Sequence, residues 1–273
     1  MPTDTRAPAA QPWVALCYHD VQPMVSVAGG GPTRFSVPTA MFERMLDTIR
    51  EEGFVGCSLA DALRMPADAR RVAITFDDAN AGQFEHAMPA LRARGMTATV
   101  YAAIEWIGTP GYMSWDDLRR ITDWGMSVQS HSFSHPFLSE CSLERLRHEF
   151  GESKARLDRE LRQDTVEVAF PGGDPPSSGL EHAIYEAGYH VAVGTRWGRN
   201  TGTPAKGRFI KRCTVRGDIT HDLARRYVHF DRWLATSQYL KETPLRTVRR
   251  TLGPTRYARW RKAMLDPVSG LSG

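Results

Sequence analysis

The sequence predicts an α/β protein in which parallel strands form a closed or nearly closed barrel with helices around it. Short apolar runs alternate with helical patterns along most of the 273 residues. Polar residues of metal-binding types follow several of these runs directly. Strands that alternate with helices at this spacing favour βα units and parallel pairing. About eight strands in about 250 residues suit a β/α barrel, whose chemistry lies at the carboxyl ends of the strands.

The strands are predicted from short runs that contain many β-branched or aromatic residues and end in polar residues or glycine. The run that ends in Asp77 and Asp78 is predicted to be buried on both faces, because four of its residues are apolar. The predicted strands are Trp13–Tyr18, Phe54–Cys57, Val72–Phe76, Thr97–Tyr101, Met126–Ser130, Thr165–Phe170, Tyr189–Val193 and Phe209–Cys213.

The helices are predicted from apolar residues at helical spacing and from residues that begin or end helices. Ser58, Ser114 and Ser142 precede helical patterns, and Ser114 can form a capping box with Asp117. The predicted helices are 38–52, 58–64, 81–94, 114–124, 142–161 and 177–188, and residues 21–37, with three consecutive glycines, are predicted to form a loop.

The charge is unevenly distributed between a body and a basic tail. Residues 1–12 are expected to be disordered, residues 13–218 to form the barrel, and residues 219–273 a helical extension. The net charge is +4, and Thr243–Leu265 carries +7 with no acidic residue, which leaves −3 for the rest. A mildly acidic body argues against nucleic acid as a partner. The tail is expected to show a solvated basic face or, alternatively, to contact an anionic membrane surface.

The residue types favour a cytoplasmic protein. The four cysteines are scattered without a CxxC pair, which fits free thiols in a reducing compartment. The first ten residues contain no apolar segment of the kind found in signal peptides. No apolar run is long enough to span a bilayer.

Two polar motifs at strand ends predict a metal site. Asp77 and Asp78 end a buried strand, where carboxylates need a cation or several donors to stay ionised. His131 and His135 follow another strand and would reach one point if the segment turned helically. One Asp and two His suit zinc and leave a coordination position for water. The alternative is an Asp N-cap and two surface histidines.

These motifs, Thr75-Phe-Asp-Asp78 and His131-Ser-Phe-Ser-His135, resemble the first two motifs of the polysaccharide deacetylases, the NodB-homology group or carbohydrate esterase family four. The resemblance covers roughly residues 13–215 and implies a distorted β/α barrel that removes acetyl groups from carbohydrates. It implies that Asp77 is the general base and that Asp78, His131 and His135 bind the metal.

The opening Cys-Tyr-His-Asp20 resembles the circularly permuted branch that contains poly-N-acetylglucosamine deacetylases, which implies that His19 is the general acid. The alternative is a histidine that makes one hydrogen bond at a strand end. The segment Phe170, Pro171 and Gly172 resembles that branch's third motif and implies a backbone N–H for the oxyanion. Two departures are Ala79 after the paired aspartates, where the family has glycine, and Gly172 in place of a tyrosine.

The expected function is therefore a metal-dependent hydrolase that removes acetate from an N-acetylated amino sugar in a glycan or glycan precursor. Two alternatives remain open at this point. One is an enzyme of the same fold that acts on a small-molecule amide or cyclic imide. The other is a carbohydrate-binding module with a degenerate site, which retention of all three ligands and the base disfavours.

Overall fold

The computed structural model describes residues 10–23, 35–202, 208–237, 240, 251–253 and 255–257. The strands are β1 Val14–Tyr18, β2 Asp20–Gln22, β3 Ser36–Pro38, β4 Val55–Cys57, β5 Arg71–Phe76, β6 Thr99–Ala102, β7 Ser127–Ser130, β8 Glu167–Ala169, β9 Val191–Val193 and β10 Cys213–Thr214. The helices are α1 Thr39–Glu51, α2 Leu59–Arg64, α3 Met88–Ala93, α4 Trp115–Asp123, α5 Leu143–Leu161, α6 His182–Glu186 and α7 His221–Val228, and a π-helical turn, Gln83–Ala87, leads into α3.

One curled parallel sheet forms the centre of the fold. Its strands follow the order β10-β1-β5-β6-β7-β8-β9, and the short β4 pairs with the start of β5. A parallel bridge between Val193 and Ile210 joins β9 to the residues that lead into β10. The predicted distorted β/α barrel is therefore confirmed.

The side chains on the two faces of the sheet belong to two different buried clusters. Leu16 and Ile74 point outward and belong to the same buried cluster as the apolar face of α1. Ala15, Ala73 and Tyr101 point inward and form a second cluster inside the curled sheet.

The predicted helix starts are confirmed where the cap is a serine. The Ser58, Ser114 and Ser142 hydroxyls each accept a hydrogen bond from the backbone N–H three residues later. Ser114 and Asp117 form the predicted capping box.

The predictions for residues 21–37 and 177–188 are wrong in part. Residues 20–22 and 36–38 form β2 and β3, a parallel pair, although 21–37 was expected to be loop throughout. The helix expected over 177–188 begins only at His182. Gly179 has a φ of 89°, which is incompatible with a right-handed helix, so helix formation is delayed by this turn.

Several predictions concern residues outside the described ranges. These are the disorder expected for 1–9 and most of the basic tail, namely 243–250, 254 and 258–265. Before the tail, α7 packs against α1, where Arg225 and His229 bind the Glu52 carboxylate. Across the described part of the chain, no helix is long and apolar enough to cross a membrane.

Candidate active site

Asp77 lies inside the curled sheet and is bound by an arginine. Its side chain follows the inward direction of β5 and is 2% exposed. Arg212, which is 0% exposed, donates from Nη1 to Oδ1 at 2.6 Å and from Nη2 to Oδ2 at 2.8 Å. Burial alone would raise the pKa of Asp77, but Arg212, together with His131 and His19, outweighs burial and the pKa is lowered. The carboxylate is therefore ionised at rest and fixed in orientation by a two-pronged contact.

Sequence reasoning missed Arg212. Its guanidinium also donates from Nε to the Gly194 carbonyl at 3.0 Å and from Nη1 to the Thr75 hydroxyl at 3.2 Å. Asp77 is 135 residues away in the chain, so no local motif links the two. The available signal was a charged residue in the predicted strand Phe209–Cys213, where an inward side chain needs a buried partner.

A neutral thiol also contacts the Asp77 carboxylate. Cys17 donates through Sγ to Oδ2 at 3.4 Å, and burial raises the pKa of this thiol. Cys17, His19 and Asp77 form a group whose donor atoms lie within 4.8 Å of one another. A protonated thiol is a poor metal ligand, and the charge of Asp77 is already compensated by Arg212. This group therefore does not fit a metal ion.

Asp78 points in a different direction because the chain turns at this residue. Asp78 and Ala79 have φ values of 75° and 56°, in the left-handed region that favours glycine. Ala79 is 1% exposed, so an alanine adopts this conformation within a packed turn. The Asn80 side chain donates to the His19 carbonyl at 2.8 Å and connects the turn to the end of β1.

The two histidines meet at Asp78, but not through a helical turn as predicted. Ser132 and His135 both have left-handed φ values, 67° and 59°, and residues 131–137 are irregular. The predicted helical geometry is wrong because these two residues reverse the chain after β7. His131 is 1% exposed, and its Nδ1 lies 2.9 Å from the Ala169 carbonyl on β8. If Nδ1 carries the proton, it donates to Ala169, and the Nε2 lone pair faces Asp78.

The donor atoms of Asp78, His131 and His135 fit one divalent cation. Asp78 Oδ1 lies 3.4 Å from His131 Nε2 and 3.5 Å from His135 Nε2, and the three donors lie within 4.8 Å of one another. Zinc bonds of about 2.0–2.1 Å in tetrahedral geometry separate two ligands by about 3.3 Å. The spacing and the donor types therefore suit zinc.

The charges of this cluster shift its pKa values. Burial would raise the pKa of Asp78, but hydrogen bonds with both histidines outweigh burial and the pKa is lowered. Burial would lower the pKa of His131, but Asp77 and Asp78 outweigh burial and the pKa is raised. The site thus attracts positive charge, whether a proton or a metal ion.

His19 lies at the end of β1, next to the end of β5. The Asp77 N–H donates to the Tyr18 carbonyl at 2.9 Å. Tyr18 pairs with Phe76 in the sheet, so His19 and Asp77, the next residue of each strand, lie side by side. The His19 ring packs on Phe35, with ring centres 4.8 Å apart. Within the described residues its buried Nδ1 has no hydrogen-bond partner. Burial lowers the pKa of His19, despite the opposing charges of Asp77 and Asp78.

The predicted oxyanion segment lies at the end of β8. Phe170 is fully buried against Phe209, so only its backbone can face a ligand. Pro171 begins a tight turn in which Gly172 has a φ of 58°. A Cβ at Gly172 would lie 3.4 Å from the Phe137 ring, so this ring borders the space beside Gly172.

Aromatic side chains border the other side of the metal ligands. The Trp106 ring centre lies 4.3 Å from that of His135 and 5.1 Å from that of Tyr112. Both aromatic residues are partly exposed. They give the site a partly exposed aromatic rim.

Comparisons with known proteins show what the sequence of this chain resembles. Residues 64–192 match the polysaccharide deacetylase family, a range that contains Asp77, Asp78, His131 and His135 but neither His19 nor Arg212. The Bacillus subtilis (strain 168) protein YxkH, provisionally named a polysaccharide deacetylase, is 27% identical over 199 residues. That match covers 71% of this chain and 67% of YxkH.

Solved structures share the fold. The Streptococcus pyogenes deacetylase PplD, in complex with acetate, has a TM-score of 0.70 and 23% identity, covering 78% of this chain and 96% of PplD. IcaB from Ammonifex degensii has a TM-score of 0.68 and 20% identity, covering 81% of this chain and 98% of IcaB. Residues 64–192 therefore resemble a polysaccharide deacetylase domain, and the solved structures of such deacetylases share the fold of this chain.

Proposed function

We propose that the protein is a metal-dependent hydrolase that removes an N-acetyl group from an amino sugar in a glycan or glycan precursor and releases acetate. The observation that carries this proposal is the pair of carboxylates at the end of β5. One lies 3.4–3.5 Å from two imidazoles in a set that fits a divalent cation, and the other is a buried base held by Arg212. The family match supports the acetylated glycan as the substrate class.

The proposed metal ligands are Asp78, His131 and His135, and zinc is the cation that suits them best. When bound, zinc would lower the pKa of water to about 7 and polarise the acetyl carbonyl. The Ala169 carbonyl would hold the His131 ring in the required orientation.

Asp77 is the proposed general base. Its Oδ2 lies 4.0 Å from His131 Nε2, on the side of the proposed metal ligands. This oxygen would accept the proton of the attacking water, while Arg212 prevents the carboxylate from rotating away. The lowered pKa keeps Asp77 free of protons before the reaction at neutral pH.

His19 is the proposed general acid. A nitrogen of its ring lies within 4.8 Å of the Asp77 carboxylate, so both groups can reach one amide. His19 would give a proton to the leaving nitrogen of the sugar. Because its pKa is lowered, lower pH favours the form that can donate.

The backbone near Gly172 is proposed to bind the oxyanion. A left-handed turn after β8 lets the main chain approach a ligand without a side chain in between. Phe137, Trp106 and Tyr112 would then border the sugar.

Metal analysis together with acetate release from N-acetylglucosamine oligomers tests the proposal. The wild type should hold about one zinc per chain and release acetate. Asp77→Asn should keep the metal and lose roughly 100-fold or more in kcat, because a general base contributes about that much. His131→Ala should lose most of the metal, whereas His190→Ala, at an exposed position, should behave like the wild type.

Different failures identify different errors. Full occupancy and activity in His131→Ala would refute the proposed ligands. Loss of metal from Asp77→Asn would make Asp77 a ligand instead of the base. His19→Ala should retain metal and slow turnover, and an unchanged rate would move the acid role to another residue.

A further inference from the structure

A carboxylate buried in α5 binds the loop that contains both proposed histidine ligands. Glu149 is 0% exposed, and its Oε2 accepts the backbone N–H of Phe133 at 2.9 Å and that of Ser134 at 2.8 Å. Its Oε1 accepts the Ser134 hydroxyl at 2.6 Å and forms an ion pair with Arg145 Nη2 at 2.6 Å. Three hydrogen bonds and one guanidinium thus converge on a carboxylate that water does not reach, which offsets the cost of burying it.

This loop has an unfavourable backbone that needs external support. Ser132 and His135 adopt left-handed φ values without being glycine, a conformation that persists only where the surrounding structure supports it. On one side, the N–H groups of Ile104 and Glu105 donate to the carbonyls of Ser132 and Phe133. Glu149 accepts the N–H groups on the opposite side. The loop is therefore held through its carbonyls by one segment and through its N–H groups by one carboxylate.

We propose that Glu149 is a positioning residue for the metal centre. It does not contact the metal ligands' donor atoms, and it acts by fixing the backbone between His131 and His135 so that both Nε2 atoms face Asp78. The inference rests on the proposed function, because it takes Asp78, His131 and His135 as the ligands. Groups that orient metal ligands typically change metal affinity by 10- to 100-fold when they are removed.

The test compares zinc dissociation constants of the metal-stripped full chain, measured by competition with a chelator. Glu149→Ala should bind zinc at least tenfold more weakly than the wild type. Glu149→Gln should lose less, because its amide oxygen can still accept the two backbone N–H groups. Glu152→Ala, an exposed glutamate on the same helix, is the matched control and should bind like the wild type.

The free energy of unfolding of each metal-free variant is measured in parallel, because a purely structural role would lower stability without changing zinc affinity. If Glu149→Ala does not fold, Glu149→Gln and Ser134→Ala decide the question, and both should bind zinc more weakly. Wild-type zinc affinity in folded Glu149→Ala, or in both Glu149→Gln and Ser134→Ala, refutes the positioning role of Glu149 and leaves the proposed metal centre unaffected. A wild-type chain that binds no zinc overturns the metal centre and with it the proposed function.

Discussion

Replacing Arg212 by methionine should destabilise the protein by about 3–5 kcal/mol, because it leaves the buried Asp77 carboxylate without its charged partner. The magnitude follows from the geometry. Arg212 and Asp77 are 0% and 2% exposed, and the fork contacts at 2.6 and 2.8 Å provide the carboxylate's main charge compensation. Arg212→Lys should lose part of this stability, because an ammonium group cannot reproduce the two-pronged contact.

Urea unfolding of the metal-free chain at pH 7 measures the effect. The double variant Arg212→Met, Asp77→Asn should be more stable than Arg212→Met alone, because burying an amide costs less free energy than burying an unpaired charge. Arg196→Met, at an exposed position, should stay within about 0.5 kcal/mol of the wild type.

The loss of stability in Arg212→Met should depend on pH, because the pKa of Asp77 is shifted in the folded protein. In the wild type the lowered pKa of Asp77 contributes stability above the ordinary carboxyl range, and this contribution is lost as pH falls. Without Arg212 the Asp77 pKa should rise, so the variant's deficit should be largest at neutral pH and shrink in acid. A deficit that is independent of pH and additive with Asp77→Asn would refute the assignment of this pair.

Two further predictions concern other parts of the molecule. Burial raises the pKa of Glu167 to about 7, although the hydrogen bond that Tyr101 donates to its carboxylate at 2.8 Å lowers this pKa. Its stabilising contribution, about 3 kcal/mol at 1.36 kcal/mol per pKa unit, is therefore present below the ordinary value and lost as pH rises through 7. Glu167→Gln should remove that slope in unfolding measured from pH 4 to 8, and an unchanged slope would contradict this. If the tail at 243–265 contacts membranes, it should bind anionic vesicles at low salt in a flotation assay and lose this binding on truncation after Glu242; no binding, or equal binding without the tail, would favour the solvated basic face.

The barrel and the ligand set could be predicted because both leave local signals. Parallel strands buried on both faces appear as short apolar runs, and polar residues directly after them fall on one rim. One of the two aspartates and both histidines were predicted as metal ligands on these grounds, and the family resemblance identified the aspartate as Asp78. The structure brings the donor atoms of Asp78, His131 and His135 within 4.8 Å of one another.

The remaining features depend on contacts that are distant in the chain or on backbone conformations that side chains do not reveal. Arg212 has no nearby acidic residue in sequence, and only the closing of the sheet places it beside Asp77. The left-handed φ values at Ser132 and His135 occur at residues that rarely adopt them, so the spacing of the histidines suggested a helix instead. Glu149 resembled an ordinary helix residue until the fold placed it behind that loop.

The separation of roles between Asp77 and Asp78 follows from where β5 ends. While the strand continues, successive side chains point to opposite faces, so Asp77 points inward, where Arg212 lies. Had Asp78 continued the strand, it would point outward into the apolar layer beneath α1. Its left-handed backbone turns it back toward His131 and His135 instead. Asp77 therefore compensates the charge of Arg212, and Asp78 faces two imidazoles. Exchanging these two roles would require a different backbone conformation at the turn after β5.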